Sequence, residues 1–420
     1  MSNIVENIKI YNFLSVREFD WEIKDFNILT GGMATGKSVC LKLIYFFEQI
    51  LRRNLYHKHI SKDTLVPEVF FHNTTKRFYS LFPSVNPKKD FYSTKIEYTF
   101  KVPRSSNTFD LSVEWNGKTN ELAWKSDYIE SHIDKWRSFL GDQLTPESVR
   151  NARMMINENI AHDFFDSFPV SILPIPASRA IGCIAKNIDT DDEILENFFY
   201  NDRQFVMDFN NVSDIKTNKI LNLKEIRVEE DPQTKEKSLV FESKGGRKIN
   251  SLQLSSGQQE AIYLLLLMKD IQEVSIRTKT VSILIEEPCA HLFPQEQKET
   301  IEYCADIFRR LRKDDARNIR YFITTHSPYI LNTINNMLKK GSMINKFNDQ
   351  MDIINSKINF PYIFMNEFSA KFINDDGTIT NILDPDEEIM FPDKILEISS
   401  SINKDTNKLD ELYLELSKGF

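Results

Sequence analysis

Apolar and polar positions alternate at the start of the chain. Ile8 and Ile10, then Phe19, Trp21 and Ile23, sit two apart, which predicts short half-buried strands over 7–13 and 18–23. The next stretch, Phe26-Asn27-Ile28-Leu29-Thr30, loses that alternation and predicts a strand buried on both faces. Past a glycine-rich turn the spacing lengthens: Leu41, Leu43, Ile44, Phe47, Ile50 and Leu51 predict a helix over 37–53. Between 55 and 170 the texture changes to strand-like stretches at 95–102, 109–115 and 121–124, then helical stretches near 126–140 and 145–166, which suggests an inserted subdomain. A strand at 170–174 returns to the core, and a helical stretch at 193–209 leads to a hairpin region over 221–250 with a polar turn at 231–237. A helix opens near Ser256, followed by a buried strand at 281–285, a helix at 294–311 and a strand at 320–324. The tail offers strand-like pieces at 362–374 and 378–382 and a helix near 393–416. Strands alternating with helices predict a mostly parallel α/β core.

Four motifs carry chemistry. Gly31-Gly32-Met33-Ala34-Thr35-Gly36-Lys37-Ser38 fits G-x-x-x-x-G-K-[ST] between a predicted strand and a predicted helix. Such a loop turns successive N–H groups toward phosphates, with the helix N-terminus adding its dipole. Lys37 supplies a point charge for β- and γ-phosphates, and the Ser38 hydroxyl suits Mg²⁺. Ser282-Ile283-Leu284-Ile285-Glu286-Glu287-Pro288 is an apolar strand delivering two carboxylates at its C-terminal end, where α/β sheets bind ligands. Leu254-Ser255-Ser256-Gly257-Gln258-Gln259 opens a helix; Ser-x-x-Gln is also capping-box spacing, so helix punctuation alone accounts for it. Phe322-Ile323-Thr324-Thr325-His326-Ser327-Pro328 is a strand that ends in a histidine.

Composition narrows the classes. With 420 residues, 41% apolar and 27% charged, the chain is globular rather than disordered. Its 53 Lys and Arg against 61 Asp and Glu give a net charge of −8, so nucleic acid would have to meet local patches. Basic clusters fall at 52–59, at 244–248, and at 309–313 with Arg317 and Arg320; each reads first as a solvated face. The longest apolar run, 261–268, is too short to span a bilayer. Residues 1–6 have neither a basic start nor an apolar signal core, so a cytoplasmic protein without a membrane partner is expected. Cys40, Cys183, Cys289 and Cys304 form no CxxC pair, which argues against zinc and disulfide frameworks.

The order of the four motifs resembles the ABC-type ATPase head, in its RecF/SMC/OLD branch of DNA-repair and phage-defence ATPases. Asn12-Phe13-Leu14-Ser15-Val16, Pro176-Ala177-Ser178-Arg179 and His291-Leu292-Phe293-Pro294 add to the likeness, which covers 1–55, 170–335 and the tail pattern 370–384 but not 56–169. It implies a head with a mostly parallel central sheet, an antiparallel β lobe and an inserted α+β subdomain at 56–169, with a hairpin-and-helix extension over 336–420. By this resemblance Gly31–Ser38 is the Walker A loop, Ser38 and Glu286 hold Mg²⁺, Glu287 is the catalytic glutamate and His326 the switch histidine. Ser255, Ser256, Gly257 and Gln258 correspond to the signature that acts on a neighbour's ATP, and 289–293 to the D-loop. Met33 stands where the family usually has Asn, Ala34 where it often has Gly, and Glu286 where Asp is more usual; no Q-loop glutamine is placed.

The function so implied is an ATPase that pairs with itself through ATP-bridged heads. It would act as sensor or scaffold in antiphage defence or DNA maintenance beside a separate effector such as a nuclease or toxin. A transporter's nucleotide-binding subunit and a hydrolysis-inactive scaffold are the alternatives. A nuclease domain within the chain is not expected, because Glu367, Asp375, Asp376 and Asp384–Asp386 read as turn residues. Direct DNA binding has only the basic clusters in its favour.

Overall fold

We describe the protein from a computed structural model, for residues 5–55, 61–83, 85, 93–102, 105–140, 145–164, 171–175, 223–230, 237–243, 245–250, 254–258, 261–262, 264–265, 268, 280–288, 291–314, 318–384, 386 and 388–390. The stretches expected at 176–179, 193–209 and 393–416, and most of the turn at 231–237, lie outside these residues.

β1 (Val5–Phe13) and β2 (Val16–Ile23) form a hairpin whose register sets Ile8 against Trp21 and Ile10 against Phe19, all four buried. The period-2 pattern therefore marks one inward face. β3 (Phe26–Gly31) is buried along its whole length and runs into α1 (Lys37–Leu55). Helix α2 (Pro67–Leu81) follows, which the apolar spacing does not announce. Next come β4 (Lys95–Lys101), β5 (Thr108–Asn116) and β6 (Glu121–Lys125). β4 pairs antiparallel with β1, so these three strands of the 56–169 segment extend the first hairpin into one sheet of order β2-β1-β4-β5-β6. Helices α3 (Asp127–Ser138) and α4 (Pro146–Asp163) begin at side-chain caps, Ser126 accepting from Ile129 N and Thr145 sharing a capping box with Ser148.

The second half builds the parallel sheet. β7 (Ser171–Ile175) is its edge, and β8 (Leu223–Glu230), β9 (Lys237–Ser243) and β10 (Lys248–Asn250) form a separate antiparallel meander. Then follow β11 (Thr280–Glu286), α5 (Pro294–Asp314), β12 (Asn318–Thr325), α6 (Pro328–Lys346) and α7 (Met351–Lys357). β13 (Phe368–Ile373) and β14 (Ile379–Asn381) close the sheet in the order β14-β13-β3-β12-β11-β7, with β14 alone antiparallel; β15 (Leu383–Asp384) and β16 (Ile389–Met390) pair with each other.

Alternation along the central strands divides two cores. Ile283, Ile285, Tyr321 and Ile323 join the cluster that includes α5 and α6, while Leu284 and Phe322 join the one that includes α1 and the antiparallel sheet. The parallel sheet is thus covered on both faces, the reason its strands read as unbroken apolar runs. Cys40 and Cys304 are buried free thiols, while Cys183 and Cys289 lie outside the described residues. Among the described residues no helix is long and apolar enough to cross a membrane.

Candidate functional site

Three neighbouring strands, β3, β12 and β11, end on the same edge of the parallel sheet, and each carries one of the sequence motifs. The loop after β3 is pinned from two sides. Gly31 has φ +152°, and a Cβ there would lie 2.6 Å from the carbonyl oxygen of Ile373 at the end of β13. Gly36 has φ +109°, and a Cβ there would lie 2.7 Å from Ser15 Oγ in the β1–β2 turn. Both positions exclude a side chain, which sets the loop closely between the end of β13 and the β1–β2 turn. Thr35 Oγ1 donates to Gly32 O at 3.0 Å, Ala34 takes a left-handed φ of +60°, and Met33 projects 85% exposed.

Lys37 opens α1 and turns back over the loop, donating to Gly31 O at 3.1 Å and Gly32 O at 2.7 Å. It is 8% exposed. Burial lowers its pKa and the Glu287 carboxylate, 3.9 Å away, opposes that shift. A polyphosphate would oppose it further, so anion binding and retention of this charge favour one another. Ser38 is exposed at the same helix end, where the first N–H groups have no partner within the helix.

Glu286 is the half-buried last residue of β11, in register with Thr324. At Glu287 the backbone turns left-handed, φ +45°, with its N–H donated to Thr324 O at 3.0 Å. That turn ends the alternation of the strand, and the Glu287 carboxylate faces both Lys37 and His326, whose Nδ1 lies 2.9 Å from Oε2. Lys37, Glu287 and His326 come together from three strand ends. Ser38, Glu286 and Glu287 are oxygen donors of the kind Mg²⁺ takes, and the exposed start of α1 at Ser38 is the kind of helix end that suits a phosphate chain.

The Leu254–Gln258 stretch is a helix start with its own purpose. Ser255 N donates to Gln258 Oε1 at 3.1 Å and Gln258 N donates to Ser255 Oγ at 3.3 Å, the reciprocal box its spacing allows. Gly257 packs so closely that a Cβ would lie 2.4 Å from His291 O, which presses this helix start onto the loop after β11. Ser255 and Ser256 stay exposed. Through Gly257 this stretch packs against His291 and Leu292.

The basic run on α5 divides. Arg309 pairs with Glu367 and lies over the rings of Tyr362 and Phe364; Arg312 pairs with Asp25, whose pKa burial raises; Arg310 pairs with Asp306. Arg320 is no surface charge at all. It is 1% exposed inside β12, where it donates to Glu6 of β1 and Glu48 of α1, and to Ser282 Oγ of β11 at 3.0 Å. Two signals in the sequence mark this cluster: Glu48 falls on the apolar face of α1 between Ile44 and Leu51, and Arg320 interrupts the apolar run from Ile319 to Ile323. Arg317, Lys244 and residues 56–59 of the basic clusters lie outside the described residues.

The family described as AAA ATPase domain matches residues 56–331. Among solved structures the chain is similar to the SMC head domain from Thermotoga maritima, with 13% identity over 79% of this chain and 91% of that one and a TM-score of 0.34. It is also similar to the Smc head domain with an extended coiled coil bound to the C-terminal domain of ScpA from Pyrococcus furiosus, with 10% identity over 95% and 99% of the two chains and a TM-score of 0.41. No curated protein matches the sequence.

Proposed function

This chain belongs to the AAA ATPase domain family and is an ATPase; on that premise we propose that its head, 1–55 with 170–335, binds ATP through Gly31–Ser38 and hydrolyses it with Glu287 as general base. The observation that carries this reading is the meeting of Lys37, Glu287 and His326 at one sheet edge. Lys37 and the loop N–H groups hold the β- and γ-phosphates. Glu287 orients a water toward the γ-phosphate and takes its proton, and His326, 2.9 Å from that carboxylate, keeps it aimed. Mg²⁺, held by Ser38 and Glu286, would neutralise charge on the β- and γ-oxygens.

We further propose that two copies pair face to face, the exposed Ser255 and Ser256 of each reaching the other's ATP. Met33, Phe293 and Tyr329, large apolar residues left exposed beside the three motif-bearing strand ends, support a partner on this face. The cellular role we infer is that of a sensor or scaffold in antiphage defence or DNA maintenance, acting with a separate nuclease or toxin. Engagement of Arg309, Arg310 and Arg312 in ion pairs speaks against α5 as a DNA surface.

Lys37→Ala should abolish ATP binding in calorimetry; unchanged affinity refutes the phosphate-loop assignment. Glu287→Gln should bind ATP but lose about 10²–10⁴ in rate, the usual size of general-base catalysis. With ATP it should accumulate a dimer in light scattering, and Ser255→Arg should prevent that dimer without weakening ATP binding by the monomer. A Ser255→Arg protein that dimerises normally would remove the head-pair reading.

A further inference from the structure

The buried cluster around Arg320 joins three elements that carry the proposed site. Arg320 lies on β12, which ends at His326; Ser282 lies on β11, which ends at Glu286 and Glu287; and Glu48 lies on α1, which begins at Lys37. Ser282 Oγ donates to Glu48 Oε1 at 3.1 Å and accepts from Arg320 Nη2 at 3.0 Å, and Arg320 Nη2 also donates to Glu48. On the far side Arg320 Nη1 donates to Glu6 of β1, which Tyr98 Oη of β4 also holds at 2.6 Å. Arg320, Glu6, Glu48 and Ser282 are all essentially inaccessible to water. One side chain is therefore shared between the phosphate-loop helix, the carboxylate strand, the histidine strand and the antiparallel sheet.

This arrangement is costly for a purely structural core. Two carboxylates and one guanidinium out of water incur several kcal/mol of desolvation per ion, and apolar residues of similar volume often stabilise as well. Among the described residues Glu48 Oε2 and Arg320 Nε have no hydrogen-bond partner, so the cluster is not fully satisfied internally. What polar contacts give and apolar packing does not is a fixed distance and direction. Glu48 lies three turns beyond Lys37, about 16 Å along the helix; Ser282 lies four residues before Glu286, about 13 Å along the strand. The helix and the strand both run between the cluster and the site, so a small shift at the cluster tilts one against the other. Such a tilt would change the separation of Lys37 and Glu287 while leaving the loop, pinned independently at Gly31 and Gly36, in place.

We propose that Glu48, Ser282 and Arg320 are positioning residues for hydrolysis: they fix the spacing of α1 and β11, and with it the aim of Glu287 at phosphates held by the loop. The inference rests on the roles given above to Lys37 and Glu287. It requires that loosening the cluster lower kcat and leave ATP affinity nearly unchanged, because the affinity resides in the loop and the alignment does not. Misplacement of about 1 Å at a reacting centre can cost about 100-fold in rate.

Ser282→Ala is the mild test, since it deletes one hydroxyl from a buried strand and leaves both charges paired. The full chain carrying Ser282→Ala, Ser282→Thr or Glu287→Gln would be compared with the unaltered chain for kcat, for ATP affinity by calorimetry and for melting temperature. Ser282→Ala is expected to lower kcat at least tenfold with affinity within about twofold, and Ser282→Thr, which keeps the hydroxyl, to recover most of the rate. A Ser282→Ala protein that turns over at the unaltered rate, while Glu287→Gln is inactive, overturns the proposal; so does a lower melting temperature with unchanged kcat. If Glu287→Gln itself turns over normally, it is the assignment of Glu287 that fails. Should Ser282→Ala not fold, Ser282→Cys, which keeps the volume but offers only a weak donor and acceptor, gives the same comparison, and loss of ATP affinity in step with kcat would then count against positioning.

Discussion

Glu48 is a carboxyl placed where water cannot reach it, beside a second carboxyl, Glu6, and a single guanidinium. Two negative charges for one positive would leave net charge in the core, so one acid must hold its proton. Glu6 accepts from both Arg320 and Tyr98, and burial pushes Glu48 up to about 8. The unfolded chain releases that proton near the ordinary carboxyl value, 4.5, so between the two values the folded state binds more protons than the unfolded one. Stability contributed here is thus present in full below about 4.5 and declines as pH rises toward 8, by at most about 1.4 kcal/mol per pH unit. Glu48→Gln, which copies the protonated acid, should flatten this decline; urea unfolding of both proteins at several pH values between 5 and 8 measures it, and parallel curves would show Glu48 to be ionised. Lys37, Glu287 and His326 were legible in the sequence because each ends a strand or opens a helix within a short motif. Arg320 and Glu6 were not, because they are 314 positions apart and nothing local to either records the other.

Helices and strands were readable where one face is buried and unreadable where punctuation alone sets them. β1, β2 and the helices after β6 follow their apolar period, and so does α6, which buries Ile330, Leu331, Ile334, Met337, Leu338 and Ile344, whereas α2, opened by Pro67, buries only Phe70, Thr74 and Phe78. Ser327 caps α6 by accepting from Tyr329 N and Ile330 N, so part of the Thr-His-Ser-Pro motif is helix punctuation as well as chemistry. The pairing of β4 with β1 was hidden for another reason: an antiparallel contact between 5–11 and 95–101 leaves no local mark, and the 56–169 segment therefore reads as an insert. α6 is anchored by close approach. A Cβ on Gly341 would lie 2.1 Å from Ile363 O, and the adjacent Lys340 Nζ donates to Ile358 O and Phe360 O at 2.8 and 2.7 Å. Gly341→Ala should force the helix off this strap and cost about 1–3 kcal/mol, the usual range for overpacking. ATP affinity should stay unchanged, since the loop does not touch this contact; a normal melting curve would mean that the strap yields freely.

Across the molecule, the parallel sheet is the shared wall of two cores, with α1 and the antiparallel sheet on one side and α5 and α6 on the other. Its order places β3, from the first thirty-one residues, between β12 at 318–325 and β13 at 368–373. Both flanks of β3 therefore leave a ribosome only after the long stretch of chain that separates β3 from β12. Until they do, β3 has neither neighbour, and Gly31 lacks the Ile373 carbonyl against which its loop is set. Pairings so distant in sequence form slowly, because a long loop must close before any contact repays it. Through the synthesis of the residues between β3 and β12 the nascent protein thus carries an apolar strand unpaired at both edges, the kind of segment that invites aggregation or a chaperone. If the loop after β3 holds ATP as proposed, a chain that stops short of β13 should not bind it.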